Sequence, residues 1–169
     1  MCIICISPAG VKQPDLGTLY TMFVRNPHGA GYMVARNGKV EIHKGFMDFD
    51  SFLNAIRAEH FTKADSVVYH FRISTQAGVN PEMTHPFPLS NQPARMQALD
   101  LTCRCGIAHN GIIRLTTDPM NQRYSDTAIF INRYLAGMIR KASDLRNQAL
   151  IDHIYALAQS KFAIMDASG

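Results

Sequence analysis

The chain has no apolar run long enough to span a bilayer, so a transmembrane helix is not expected. Its N-terminus, MCIICISPAG, lacks the basic region of a signal peptide, and the apolar run that follows is too short for one. The expectation is a soluble, cytoplasmic protein. Basic runs are missing too. The net charge is +4, but Lys and Arg are scattered rather than gathered into a phosphate-tracking stripe. That disfavours nucleic acid as a partner. Cysteine is scarce, at four residues, and in an intracellular chain four cysteines read as thiols rather than disulfides. No internal repeat and no low-complexity linker breaks the 169 residues, a length that suits one domain with a real core.

The pattern of what is present suggests strands over 2–7, 32–36, 40–43, 66–71, 101–108 and 161–165. Asn37-Gly38 sits between two β-like runs and marks a tight hairpin, since both residues must take positive φ. Helices are expected over 17–24, over 50–59 with Asp50 or Ser51 as cap, from Ser125 or Asp126 to about 141, and over 143–159. This order suits an α+β or layered α/β protein better than strict βαβ alternation. The turn signal Asp166-Ala167-Ser168-Gly169 directly after a strand suggests that the sheet continues beyond residue 169, so that the chain is truncated or unusually short.

Chemistry-bearing residues gather at the ends of these elements. Cys2 becomes N-terminal if Met1 is removed, which a small second residue permits. Its α-amine, with a pKa near 8, could then serve as base for its own thiol. Taken alone, Cys2 reads more readily as a structural cysteine on a strand. Asn110-Gly111 after a strand could offer a side-chain amide and a backbone N–H to one point, as an oxyanion hole requires; alone it is a turn. Arg72 could grip a carboxylate in bidentate fashion or form a surface ion pair. Asp126 could bind an ammonium group, cap a helix, or both. Cys2-x-x-Cys5 and Cys103-x-Cys105 supply the four thiols of a structural zinc site. Residues three apart on a strand face opposite sides, however, so zinc is disfavoured, as is a redox CxxC.

Met1-Cys2, Arg25-Asn26…Gly29-Ala30-Gly31, His70-Phe71-Arg72-Ile73-Ser74-Thr75, His85-Pro86-Phe87, His109-Asn110-Gly111-Ile112-Ile113 and Ser125-Asp126-Thr127 follow one another in the chain. This ordered set resembles the glutaminase domain of class II glutamine amidotransferases, members of the N-terminal-nucleophile hydrolases. It spans residues 2–127. The resemblance implies a four-layer αββα sandwich occupying 1–169 as a single domain. It implies Cys2 as nucleophile on the glutamine side-chain amide and Asn110 with Gly111 as oxyanion hole. Arg25 or Asn26 would hold the nucleophile's surroundings. Arg72, assisted by Thr75, would bind the α-carboxylate, Asp126 the α-ammonium, and His85 would support the pocket. No cofactor or metal is implied. Glutamate and ammonia would be the products, with the ammonia passed to a synthase partner or fused domain. Two alternatives keep the fold: hydrolysis of another amide, such as a γ-glutamyl compound, or a non-catalytic partner-binding domain. The chain departs from the family's frequent Arg-Trp-Ala-Thr-His-Gly at 72–78, and from its Asp-Gly-x-Gly at 28–31.

Overall fold

In the computed structural model, which describes residues 1–74, 78–114 and 123–169, the N-terminal apolar run forms β1 (Ile3–Ser7). It is an edge strand, paired only with β4 (Val67–Phe71), so Ile6 stays exposed where a fully buried strand was expected. Its alternation sorts the side chains: Ile3 and Cys5 pack on one face of the sheet, Ile4 on the other. β4 is buried along its whole length because β1 and β2 (Ala30–Arg36) flank it.

β2 turns back into β3 (Lys39–Phe46) through Asn37 and Gly38, at φ 51° and 69°. The positive φ of both residues is what the Asn-Gly signal demands. With β6 (Asp100–Cys103) the first sheet is complete, in the order β1-β4-β2-β3-β6, antiparallel throughout. A second antiparallel sheet has the order β5-β7-β8, from Phe87–Pro88, Cys105–Asn110 and Lys161–Asp166. The run expected as one strand over 101–108 is therefore two. Arg104 lies between them, exposed, and its Nη2 donates to the Ile139 carbonyl at 2.9 Å. The chain leaves one sheet there and enters the other.

Helix α1 (Leu16–Arg25) is capped by Asp15, whose carboxylate accepts from Thr18 N at 2.7 Å. Helix α2 (Phe49–Glu59) is capped by Asp48, accepting from Ser51 N at 2.8 Å, rather than by Asp50 or Ser51. The cap must sit in extended backbone just outside the helix, and Asp48 does so at φ −132°. The short α3 (Pro93–Gln97) was not expected. The helix expected from 125 to 141 is α4 (Asp126–Phe130), capped by Ser125, continuing through a π-turn at Ile131–Leu135 into α5 (Ala136–Met138). Over 143–159 the structure has a 3-10 turn (Ala142–Arg146) and then α6 (Gln148–Ala158).

Three apolar clusters hold these parts together. Leu19, Phe23 and Phe52 of α1 and α2 pack on Tyr32, Tyr69 and Phe71 of the first sheet. Met33, Val40, Ile42 and Val68 of the first sheet meet Ala108, Ala163 and Met165 of the second. Ile107 and Phe87 of the second sheet carry Ile129, Phe130, Ile131 and Ile154 of the C-terminal helices. The result is an α+β fold of two antiparallel sheets and helices. Among the described residues no helix is long and apolar enough to cross a membrane. All four cysteines are free thiols.

Candidate active site

The pairing of β1 with β4 sets Ile3 opposite Phe71, which places Cys2 and Arg72 side by side at one end of the first sheet. The second sheet brings the end of β7 to the same place. His70 Nε2 donates across the inter-sheet gap to the His109 carbonyl at 3.1 Å. A narrow cleft of about 30 Å³ opens there, lined by Cys2, Arg72, Ile73, Ser74, His85, His109, Gly111, Ser125, Asp126 and Thr127. Roomier cavities lie elsewhere, one of 540 Å³ around Ile139 and Leu145 and one of 310 Å³ around Ile154 and Phe162. The first of these also gathers Arg104, Cys105 and Asp166, but only the narrow cleft sets a thiol, a guanidinium and a carboxylate beside Gly111 at the end of β7.

The Cys2 thiol is half-buried and donates to the Ile73 carbonyl at 3.7 Å. Burial raises its pKa above the ordinary thiol value. The Ile73 contact and the Arg72 charge pull the other way, and Asp126 adds to the rise. A thiol held in this way keeps its proton near neutral pH and needs a base at hand to become a nucleophile.

Arg72 is buried, and its backbone N–H donates to the Gly29 carbonyl at 2.8 Å. Burial lowers its pKa, while Cys2 and Asp126 support its charge. The neighbouring Ser74 N–H donates to His28 Nδ1 at 3.0 Å, which ties the segment after β4 to the turn before β2. Asp126 is oriented on both sides. Its Oδ2 accepts from Ile113 N at 2.7 Å and its Oδ1 from Thr127 N at 2.7 Å. Gly111 has φ 149°, a backbone region that few side-chain-bearing residues adopt, and a Cβ there would collide with Ser160 Oγ. The Asn110 amide oxygen is buried with no hydrogen-bond partner among the described residues.

Of the residues singled out in the sequence, Cys2, Arg72, His85, Gly111 and Asp126 line the cleft, and Asn110 adjoins it as the last residue of β7. Asn26 lies buried behind Cys2. Its Nδ2 donates to the Met1 carbonyl at 2.9 Å and to the Phe71 carbonyl at 3.3 Å. Arg25 is not brought to the site: it is exposed at the end of α1 and lines a separate hollow with Ile3, Asp15 and Thr18. Arg25 is the last residue of α1, whereas Asn26 follows it as the C-cap in non-helical backbone at φ −134° and ψ 70°, and its side chain turns inward. Thr75 lies outside the described residues. Cys5 packs in the cluster under α1 and Cys103 in the inter-sheet cluster, away from the cleft.

Sequence reasoning assigned no role to His109, Thr127 or Ser160. His109 Nδ1 is 2.8 Å from Thr127 Oγ1, and its Nε2 is 2.6 Å from Ser160 Oγ. The sequence signal for His109 is its position directly before Asn110-Gly111. Ser160, fifty residues later, carries none. No family model matches the chain, and no curated protein matched it in comparison.

Proposed function

We propose that this chain is a glutaminase of the class II glutamine amidotransferase type. The observation that carries the reading is the convergence of the Cys2 thiol, the Arg72 guanidinium, the Asp126 carboxylate and the Gly111 turn on one cleft. An α-amino acid carries a carboxylate and an ammonium, and this cleft offers one counter-charge for each. The stacking of α1 and α2, two sheets, and the C-terminal helices supports a four-layer αββα sandwich of the N-terminal-nucleophile type.

Catalysis begins with loss of Met1, which is 91% exposed. The Cys2 nitrogen then becomes an amine next to its own thiol. A neutral α-amine takes the thiol proton, directly or through a water, and so answers the raised thiol pKa. A glutamine binds by its α-carboxylate on Arg72 and its α-ammonium on Asp126. Sγ attacks the side-chain amide carbon. The oxyanion that forms is met by the Gly111 N–H and the Asn110 amide N–H, donors worth about 10²–10³ in kcat apiece in comparable sites. The Cys2 ammonium returns its proton to the leaving nitrogen, and ammonia departs. Water then attacks the γ-glutamyl thioester, the thiol is regenerated and glutamate leaves. The ammonia passes to an acceptor on a partner or fused domain.

The test is glutamate release from glutamine by Met1-free protein, measured beside Cys2→Ala and beside protein that retains Met1. Activity is expected only in the first. Diazo-oxo-norleucine should label Cys2 and leave Cys5 untouched. If protein with a free Cys2 amine releases no glutamate, the glutaminase reading is wrong.

A further inference from the structure

Ser160 belongs to the turn between α6 and β8, where Gln159 closes the helix in a left-handed conformation at φ 46°. Its hydroxyl is 2.6 Å from His109 Nε2 and lies against the Gly111 backbone so closely that any side chain at 111 would strike it. On the other side of the ring, His109 Nδ1 reaches Thr127 Oγ1 at 2.8 Å, and Thr127 Oγ1 donates to Asp126 Oδ1 at 3.3 Å. One continuous chain of hydrogen bonds thus runs Ser160–His109–Thr127–Asp126. Its first member touches the oxyanion turn, and its last is the ammonium anchor.

The carboxylate sets the order of donors. Asp126 accepts from Thr127, so Thr127 Oγ1 is left to accept from His109 Nδ1–H. Nε2 is then an acceptor for the Ser160 hydroxyl. This order requires a neutral imidazole, and burial lowers the pKa of His109 accordingly. The ring is also held from the side by Phe162, with ring centres 4.9 Å apart.

We infer that Ser160 is a positioning residue for the glutaminase reaction: through His109 and Thr127 it fixes the oxyanion turn at Asn110–Gly111 relative to the Asp126 anchor. Substrate held at Asp126 is thereby registered against the donors that must meet its oxyanion. The inference rests on the glutaminase reading and adds to it a residue from the far end of the chain.

The experiment uses full-length Met1-free protein as wild type, Ser160→Ala and Ser160→Thr. Residues that orient metal ligands at one remove are typically worth about ten- to hundredfold, and an effect of the same order is expected of Ser160. Ser160→Ala should therefore lose about that much in kcat, with KM for glutamine changed by less than about threefold and Ser160→Thr recovering most of the loss. Alkylation of Cys2 by iodoacetamide, which needs neither oxyanion hole nor anchor, should proceed at the wild-type rate in both variants. Nitrogen-15 NMR should find His109 as the neutral Nδ1–H tautomer in wild type, with the Nε2 resonance displaced in Ser160→Ala. An active wild type with an equally active Ser160→Ala overturns the inference alone. So does a kcat loss matched by an equal loss of alkylation, which would mark a damaged nucleophile. So does an Nε2–H tautomer in wild type. A wild type that makes no glutamate at all overturns the glutaminase reading, and the role of Ser160 with it.

Discussion

Lys44 is a charged residue in a place where charge is costly. It is 3% exposed, and its Nζ donates to the Glu82 carbonyl at 2.7 Å and the Met96 carbonyl at 2.6 Å. The same nitrogen lies 3.9 Å from the centre of the Phe87 ring. Burial lowers its pKa far below the usual lysine value. Both carbonyls belong to the segments around the 3-10 turn Pro81–Met83 and α3, so Lys44 fastens those segments to β3. Methionine would fill the same volume and leave both carbonyls without a donor. An unsatisfied buried polar group costs about 1–3 kcal/mol. Lys44→Met should therefore lower stability by about 2–4 kcal/mol, read from the urea midpoint at constant m-value. An unchanged midpoint would mean that water reaches those carbonyls. At Gly111 the constraint is conformational. Gly111→Ala forces a Cβ into φ 149° and onto Ser160 Oγ, and should cost about 1–3 kcal/mol besides activity. Adding Ser160→Gly removes the collision and should return part of the melting temperature but none of the activity.

At the scale of elements, the sequence was most readable where local chemistry decides the outcome. Asn37-Gly38 specified its hairpin because few other residue pairs tolerate two positive φ values in a row. β4 was legible as a buried strand because both its neighbours are strands and its whole run is apolar or aromatic apart from His70. Legibility failed where tertiary contacts decide. Nothing local tells that Cys103-Arg104-Cys105 crosses from one sheet to the other; the crossing is set by Arg104 reaching Ile139, thirty-five residues on. The cap of α2 went to Asp48 because the helix starts earlier than its periodicity suggested, with Phe49 packing on Phe52 and Phe23. The site divides in the same way. Cys2, Arg72, Asn110, Gly111 and Asp126 stand next to element ends and could be picked out as chemistry-bearing residues. Arg25 and Asn26 could not be told apart without knowing that α1 ends at Arg25 and that the chain leaves the helix at Asn26. Ser160 had no local signal, because its partners are fifty residues away in sequence.

At the scale of the whole molecule, the junction of the two sheets at the cleft is filled by imidazole. The His70 and His85 rings lie with centres 4.2 Å apart and planes tilted by 34°, and the His109 ring centre lies 6.3 Å from that of His85. His70 donates from Nε2 to the His109 carbonyl, and its Nδ1 has no partner among the described residues. Neither nitrogen of His85 has one. Burial pushes His70 down to about 3 and His85 well below its ordinary value, and the neighbouring charges of Lys44 and Arg72 reinforce the effect on His85. His70 is therefore neutral in the folded protein at pH 5 and protonation of His85 is disfavoured in the same direction, whereas in the unfolded chain each takes up a proton below about pH 6.5. The unfolded state then binds more protons than the folded one. Stability is complete above pH 6.5 and falls as the pH drops from there. For His70, pushed down to about 3, the loss between pH 7 and pH 5 is about 2 kcal/mol, and His85 and His109, also lowered by burial, add losses of the same sign. The capping carboxylates Asp15, Asp48 and Asp144 are held low by backbone N–H donors, so their contribution fades only near and below pH 4 and leaves this window to the histidines. Urea unfolding at half-unit steps from pH 7 to 5 should show the decline, and His85→Phe should make its slope shallower. In the glutaminase mechanism proposed above, activity should fail on the acid side for an additional reason, since a protonated Cys2 amine cannot serve as base. Activity should accordingly fall at a higher pH than stability does. A stability curve flat from pH 7 to 5 would show that His70 and His85 accept protons inside the fold.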